Sequence, residues 1–184
     1  MLNRDSFSTE QYRHYAAQVS CDVEQLKRVY PWTRIIYSPS SVPTPIQLSV
    51  TAVSKDVMET LQAREEDFLA EYSKSLQVTI PFDYERKGCE IYGAGWLNIE
   101  AVPQEDRHFF GSKNGLHKFC LGVPASFAQM KNVILENIKT ADNMLVAYEL
   151  FQKGINQGVN LIAYSHGKVG EDEYAKDKKK YKSK

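Results

Sequence analysis

His117-Lys118-Phe119-Cys120-Leu121-Gly122-Val123-Pro124 sets a cysteine on a short apolar run, and the chain passes from it directly into a long amphipathic helical pattern. The residues upstream are strand-like and end in polar positions that include His108, Asn114 and Gly115. The thiol is therefore expected to emerge from a loop beside packed neighbours. A cysteine placed so is partly exposed, the condition for a reactive thiol. The competing reading is a small buried hydrophobe, the ordinary fate of a single intracellular cysteine.

Downstream, Met130, Val133, Ile134, Ile138, Ala141, Met144, Leu145, Tyr148 and Phe151 recur every three or four positions. This predicts a helical stripe from Ser126 to Gly154, with Ser126 and Gln129 as a capping box and Gly154 as the C-terminal cap. Thr140, followed by Asp142 and Asn143, leaves open one bent helix or two in sequence. Such a stripe reads as core rather than as a ligand site. At the end of the chain, Lys176, Lys178, Lys179, Lys180, Lys182 and Lys184 repel one another, so residues 171–184 are expected as a disordered lysine-rich tail.

Upstream, residues 8–30 carry Tyr12, Tyr15, Ala16, Val19, Val23, Leu26 and Val29 at helical spacing, with Ser8 or Thr9 as N-cap, and predict one or two helices. Trp32 to Tyr37 reads as a strand, and the prolines of Ser38 to Pro45 as a loop. Ile46 to Val53 and Leu76 to Ile80 alternate with period 2, Lys55 to Tyr72 favours helix, and Cys89 to Ile99 reads as an aromatic, glycine-spaced strand. Trp32 and Trp96 read as packing aromatics, and His14 and His166 as surface residues. The order predicts an α+β domain, a meander of antiparallel strands packed on helices at its edges, over residues 1–170.

The chain has 184 residues, of which 42% are hydrophobic and 25% charged, enough for one domain with a core. Its 23 basic and 23 acidic side chains cancel, which gives no global bias toward nucleic acid or an anionic membrane. Met1-Leu2-Asn3-Arg4-Asp5-Ser6 opens with no apolar segment, so neither a signal peptide nor a membrane span is expected and the chain reads as cytoplasmic. Cys21, Cys89 and Cys120 are odd in number and widely spaced, which speaks against a disulfide framework.

Four stretches together resemble the bacterial relatives of ubiquitin-conjugating enzymes found in antiphage defence operons. Leu76-Gln77-Val78-Thr79-Ile80-Pro81-Phe82-Asp83-Tyr84 is similar to that family's strand running into a proline and tyrosine segment. Asp106-Arg107-His108, followed by Phe119-Cys120-Leu121, resembles the histidine and cysteine-leucine of its active-site loop. The helix after the cysteine and Met144-Leu145-Val146-Ala147-Tyr148-Glu149-Leu150-Phe151-Gln152-Lys153-Gly154 resemble its closing helices. The resemblance covers about residues 76–154. The His-Pro-Asn tripeptide that precedes the cysteine in the eukaryotic enzymes is absent, and so is the tryptophan that follows it. Asn114, His108 or His117 would then supply the missing donor.

The resemblance implies the ubiquitin-conjugating fold and transthiolation without metal or cofactor. Cys120 would accept the C-terminal glycine acyl group of a ubiquitin-like protein, or of a cyclic-oligonucleotide synthase, from an activating protein and pass it to an amine. Both steps run through a tetrahedral oxyanion and need a hydrogen-bond donor aimed at it. Two other readings compete: a non-catalytic binding scaffold on the same fold, and a zinc site built from Cys89, His108, His117 and Cys120. The lysine tail reads as a solvated end, or as a tethered set of acceptor amines in self-modification.

Overall fold

Tyr15, Val19, Val23 and Leu26 decide the first element of the computed structural model, which describes residues 8–36, 42–62, 64, 74–102, 107–122 and 124–155. They form the buried stripe of one helix, α1 (Thr9–Val29). Ser8 caps it reciprocally: its hydroxyl accepts from the Gln11 N–H at 3.1 Å, and its own N–H donates to the Gln11 side chain at 2.8 Å. Lys27 and Arg28 stand in the last turn, where positive charge suits the carbonyl end of a helix.

The four segments read as strands become β1 (Thr33–Ile36), β2 (Ile46–Thr51), β3 (Ser75–Ile80) and β4 (Glu90–Gly93), an antiparallel meander. Leu48, Val50, Leu76, Val78, Ile80 and Ile91 are buried, whereas Gln47 and Gln77 are exposed, so the sheet has one packed face and one open face. The strand expected over Cys89 to Ile99 stops at Gly93. Beyond it Gly95 lies against the Gly115 carbonyl, where a Cβ would come within 2.8 Å, and the chain turns into a short 3-10 helix, Ile99–Ala101.

The stretch read as a loop before Cys120 is instead a hairpin, and this is the main correction to the sequence reading. β5 (Phe109–Lys113) and β6 (Leu116–Phe119) are joined by Asn114-Gly115, whose φ angles of 52° and 75° are those of a two-residue turn that matches strand twist. β6 pairs with β4, which gives a six-stranded sheet in the order β1-β2-β3-β4-β6-β5.

Short helices follow β2 (α2, Lys55–Leu61), β3 (α3, Tyr84–Lys87) and the cysteine (α4, Pro124–Phe127). The long stripe forms α5 (Val133–Gln152), which starts seven residues later than Ser126 because Asn132 is its cap, accepting from the Leu135 N–H at 2.9 Å. It runs unbroken through Thr140, whose hydroxyl donates to the Glu136 carbonyl. At its end Gly154, at φ 73°, donates to the Phe151 carbonyl and Ile155 to the Leu150 carbonyl, the pattern in which a left-handed glycine closes a helix.

One core cluster joins α1 and α5 to the buried face of the strands. Side chains fix the angle. The Tyr15 hydroxyl donates to the Ile80 carbonyl at 2.5 Å and accepts from the Ile46 N–H at 2.9 Å, which ties α1 to the ends of β2 and β3. The Tyr30 hydroxyl donates to Asp142 at 3.0 Å, and Lys74 stands 3.7 Å from the other oxygen of that carboxylate. Trp96 packs against the core, as read. No helix of the described residues is long and apolar enough to cross a membrane. The lysine tail, His166, and residues 63 and 65–72 of the helical expectation over Lys55 to Tyr72 lie outside the described residues.

Candidate functional site

The three cysteines occupy three environments. Cys21 is exposed on α1. Cys89 is in the core, where its N–H donates to the side-chain oxygen of the buried Asn137 at 2.7 Å. Burial, and secondarily the charge of Asp22, push the Cys89 thiol well above its ordinary value, so it is inert at neutral pH. Cys120 is the first residue past β6 and is 4% exposed. The partial exposure expected from the sequence is therefore not found: the residue follows β6 directly, outside any regular element, and is buried there.

Register places the nearest imidazole. Phe109 pairs with Phe119, and the Cys120 N–H donates to the His108 carbonyl at 2.9 Å, so His108 stands directly across from Cys120. Residues so opposed put their Cβ atoms on one face, about 5 Å apart. The Arg107 guanidinium fixes the strand's approach through the Val102 carbonyl at 2.8 Å.

Burial raises the Cys120 thiol above its ordinary value, and the main chain of Gly122 opposes that rise. Gly122 has φ 124°, a conformation that costs an L side chain strain. A Cβ there would meet only Ser126 Oγ at 3.5 Å and Phe127 at 3.9 Å, so backbone conformation and not lack of room calls for glycine. Sequence reasoning passed over Gly122, although a glycine two residues from the proposed nucleophile was the available signal.

The other two candidates are not brought to the thiol. His117 lies on the helix side of the sheet, its ring 5.1 Å from that of Phe109, which in turn packs at 4.8 Å on Tyr148. Its Nδ1 is buried without a hydrogen-bond partner. Its neighbour Lys118 faces the open side, paired with Glu90 at 2.6 Å and 5.8 Å from the Tyr92 ring. The notion that His117 shares a strand face with Cys120 fails because three residues along a strand reverse the face. Asn114 is at the hairpin tip, roughly 15 Å from Cys120 at the rise of a β-strand. There it lines a shallow depression of about 240 Å³ on the open face, together with Gln47, Gln77 and Tyr92.

The zinc reading is corrected. Among the described residues no three His, Cys, Asp or Glu side chains come together to hold a metal, and Cys89, His108, His117 and Cys120 are all described. Cys89 faces the core beside α5, and His117 is turned away from Cys120. A wider depression of about 440 Å³ runs between α1 and the Phe82–Glu85 turn, lined by Glu10, His14, Phe82 and Glu85 among others, but not by Cys120. Comparison with models of known protein families, with curated proteins and with solved structures finds no match.

Proposed function

We propose that this chain is an acyl carrier of the ubiquitin-conjugating type, with Cys120 as the nucleophile. The observation that carries the reading is the placement of Cys120 at the end of β6, with His108 across the ladder. The element order supports it as well: an N-terminal helix, an antiparallel meander, a proline and tyrosine segment after β3, the cysteine, then a long helix over one sheet face. In the first step Cys120 Sγ bonds to the acyl carbon of a C-terminal glycine thioester, and the donor's carbon–sulfur bond breaks. In the second an amine bonds to that carbon, the bond to Sγ breaks, and the amine loses its proton to a base. His108, across the ladder from Cys120, is the imidazole assigned to that proton. The setting implied is bacterial antiphage defence, with a ubiquitin-like protein or a cyclic-oligonucleotide synthase as the acyl donor.

A second reading, a binding scaffold on the same fold, is favoured by one observation: the thiol is buried and its pKa is raised. Ubiquitin carrying a C-terminal mercaptoethanesulfonate thioester separates the two. An acyl carrier forms a protein adduct cleaved by reductant, lost in Cys120→Ala and resistant to reductant in Cys120→Ser. An adduct mapped to Cys21, or one that survives Cys120→Ala, overturns the assignment. Binding without any adduct supports the scaffold.

A further inference from the structure

Asn114 is the asparagine of this chain that precedes a glycine; those at 98, 132, 137 and 143 precede Ile99, Val133, Ile138 and Met144. The side chains of Asn98, Asn132 and Asn137 are held, each accepting a main-chain N–H, from Glu100, Leu135 and Cys89 respectively. Asn114 is exposed, and its carboxamide has no hydrogen-bond partner among the described residues. The space around Gly115 is equally open, since a Cβ there would meet nothing within 4 Å. A free carboxamide beside an unshielded main-chain nitrogen is a reactive pair, because attack of the nitrogen on the carboxamide carbon closes a five-membered ring. What restrains the pair is the turn. In the left-handed conformation marked by its φ of 52°, the Asn114 Cβ lies against the residue's own carbonyl oxygen, so the Gly115 nitrogen on that carbon points away from the side chain. The ring closes only when the hairpin tip opens.

We propose that Asn114 is a site of self-modification, converted by water to isoaspartate and aspartate at a rate set by opening of the hairpin tip, and that the isoaspartate form loosens β5. The Gly115 nitrogen gives its proton to water or hydroxide and bonds to Asn114 Cγ. The Cγ–Nδ2 bond breaks, and Nδ2 takes up a proton and leaves as ammonia. Water then opens the ring. Addition at Cγ breaks the bond from Cγ to nitrogen and leaves aspartate; addition at the main-chain carbonyl carbon breaks that carbon's bond to nitrogen and leaves isoaspartate. Aspartate suits the two-residue turn as asparagine does. Isoaspartate lengthens the main chain by one carbon, so the pairs next to the turn, Lys113 with Leu116 and Ser112 with His117, lose their register. β5 is the outermost strand of the sheet and depends on β6 for its pairing. The residue before it, His108, accepts the Cys120 N–H, so the strand that is loosened is the one that brings His108 to Cys120.

The full chain and a synthetic peptide of residues 112–117, too short to hold a hairpin, are incubated side by side at neutral pH. Isoaspartate is detected by methylation with isoaspartyl methyltransferase and placed by peptide mass. The folded chain is expected to label at position 114 about ten- to a hundredfold more slowly than the peptide, because an edge hairpin opens at the low end of local stabilities, and to label at the peptide's rate in urea. Asn114→Gln, whose longer side chain would have to close a six-membered ring, is expected to stay unlabelled there. A folded chain that labels as fast as the peptide overturns the control by the turn. One that labels more than about a thousandfold more slowly, or first at Asn98 or Asn143, overturns the site. The effect on β5 is measured by amide exchange on a chain assembled by ligation at Cys89 and Cys120 around a synthetic peptide of residues 89–119 with isoaspartate at 114. Residues 109–119 are expected to exchange at least about tenfold faster than in the same assembly with asparagine, and β2 and β3 at an unchanged rate. Asn114→Asp is expected to exchange as the native chain does. Protection kept over residues 109–119, or lost equally in β2 and β3, overturns the loosening of β5.

Discussion

Replacing Asn114 by alanine and, separately, by glycine distinguishes a turn residue from a residue that acts on the reacting centre. Asn114 and Gly115 both sit at positive φ, 52° and 75°, between the paired residues Lys113 and Leu116. A left-handed backbone costs an ordinary L residue roughly 1–2 kcal/mol, a strain that asparagine bears better than alanine and glycine does not feel. Asn114→Ala is therefore expected to lose about 1 kcal/mol of stability. Asn114→Gly should remain within about 0.5 kcal/mol of the native chain, its freedom from strain set against its greater entropy when unfolded. Urea unfolding followed by circular dichroism measures both, with the dependence on denaturant unchanged. In a domain of this size, 1 kcal/mol corresponds to a melting shift of about 2–4 °C. If the hairpin places Asn114 as described, neither variant alters transfer from a preformed Cys120 thioester by more than about twofold. A side chain that donates to the oxyanion is worth roughly a hundredfold or more, and glycine lacks that side chain as fully as alanine does. A glycine variant of native stability that transfers at least about tenfold more slowly would refute the reasoning.

Tyr15→Phe removes one hydroxyl but two hydrogen bonds, to Ile80 and Ile46, and should cost about 2 kcal/mol in urea unfolding; a loss below about 0.5 kcal/mol would mean that water replaces both. Lys74→Met should destabilise the chain at pH 7 by about 1–3 kcal/mol and much less near pH 4. Burial raises the Asp142 carboxyl above its ordinary value while Lys74 opposes the rise, so the stability tied to this group is present below the unfolded carboxylate pKa and lost as pH climbs through the raised folded value; equal losses at the two pH values would show that the pairing carries no charge. His108→Ala should slow single-turnover transfer from a preformed thioester about a hundredfold or more while leaving the melting temperature close to native, and an unchanged rate would remove His108 from the chemistry.

Where local chemistry and tertiary packing agree, the sequence was readable. α1, β2 and β3 follow directly from apolar spacing, because each buries one stripe or one face against the same core. The long helix was readable in its stripe but not in its start. Ser126 and Gln129 imitate a capping box, yet α4 ends at Phe127, and Phe127 and Met130 pack on the core from a turn before Asn132 caps α5. The hairpin was missed although Asn114-Gly115 is the strongest short signal for one, because Gly111, Ser112 and Lys113 before it show no apolar alternation. β5 is an edge strand with one side in solvent, and there period 2 has no face to bury. The resemblance names His108 through the order of a histidine and a cysteine-leucine pair along the chain, but its relation to Cys120 is one of register. No count of intervening residues reveals that.

The register turns on a single irregularity in β5. Near the hairpin tip Lys113 pairs with Leu116 and Ser112 with His117, and an uninterrupted ladder from there would set Phe110 opposite Phe119 and Phe109 opposite Cys120. Between Phe109 and Ser112 the pairing shifts by one residue, with Gly111 at φ 101° inside the shift. The consequence for packing is that Phe109, not Phe110, faces Phe119 and packs on Tyr148, while Phe110 is left 56% exposed. The consequence for chemistry is that His108, not Phe109, stands across from Cys120. A slip of one residue exchanges the faces of every side chain beyond it, so the aromatic cluster under the hairpin and the pairing of His108 with Cys120 are set by the same bulge. The packing of Phe109 into the core thus fixes the place of His108: the side chain that anchors β5 lies one residue from the one whose carbonyl receives the Cys120 N–H.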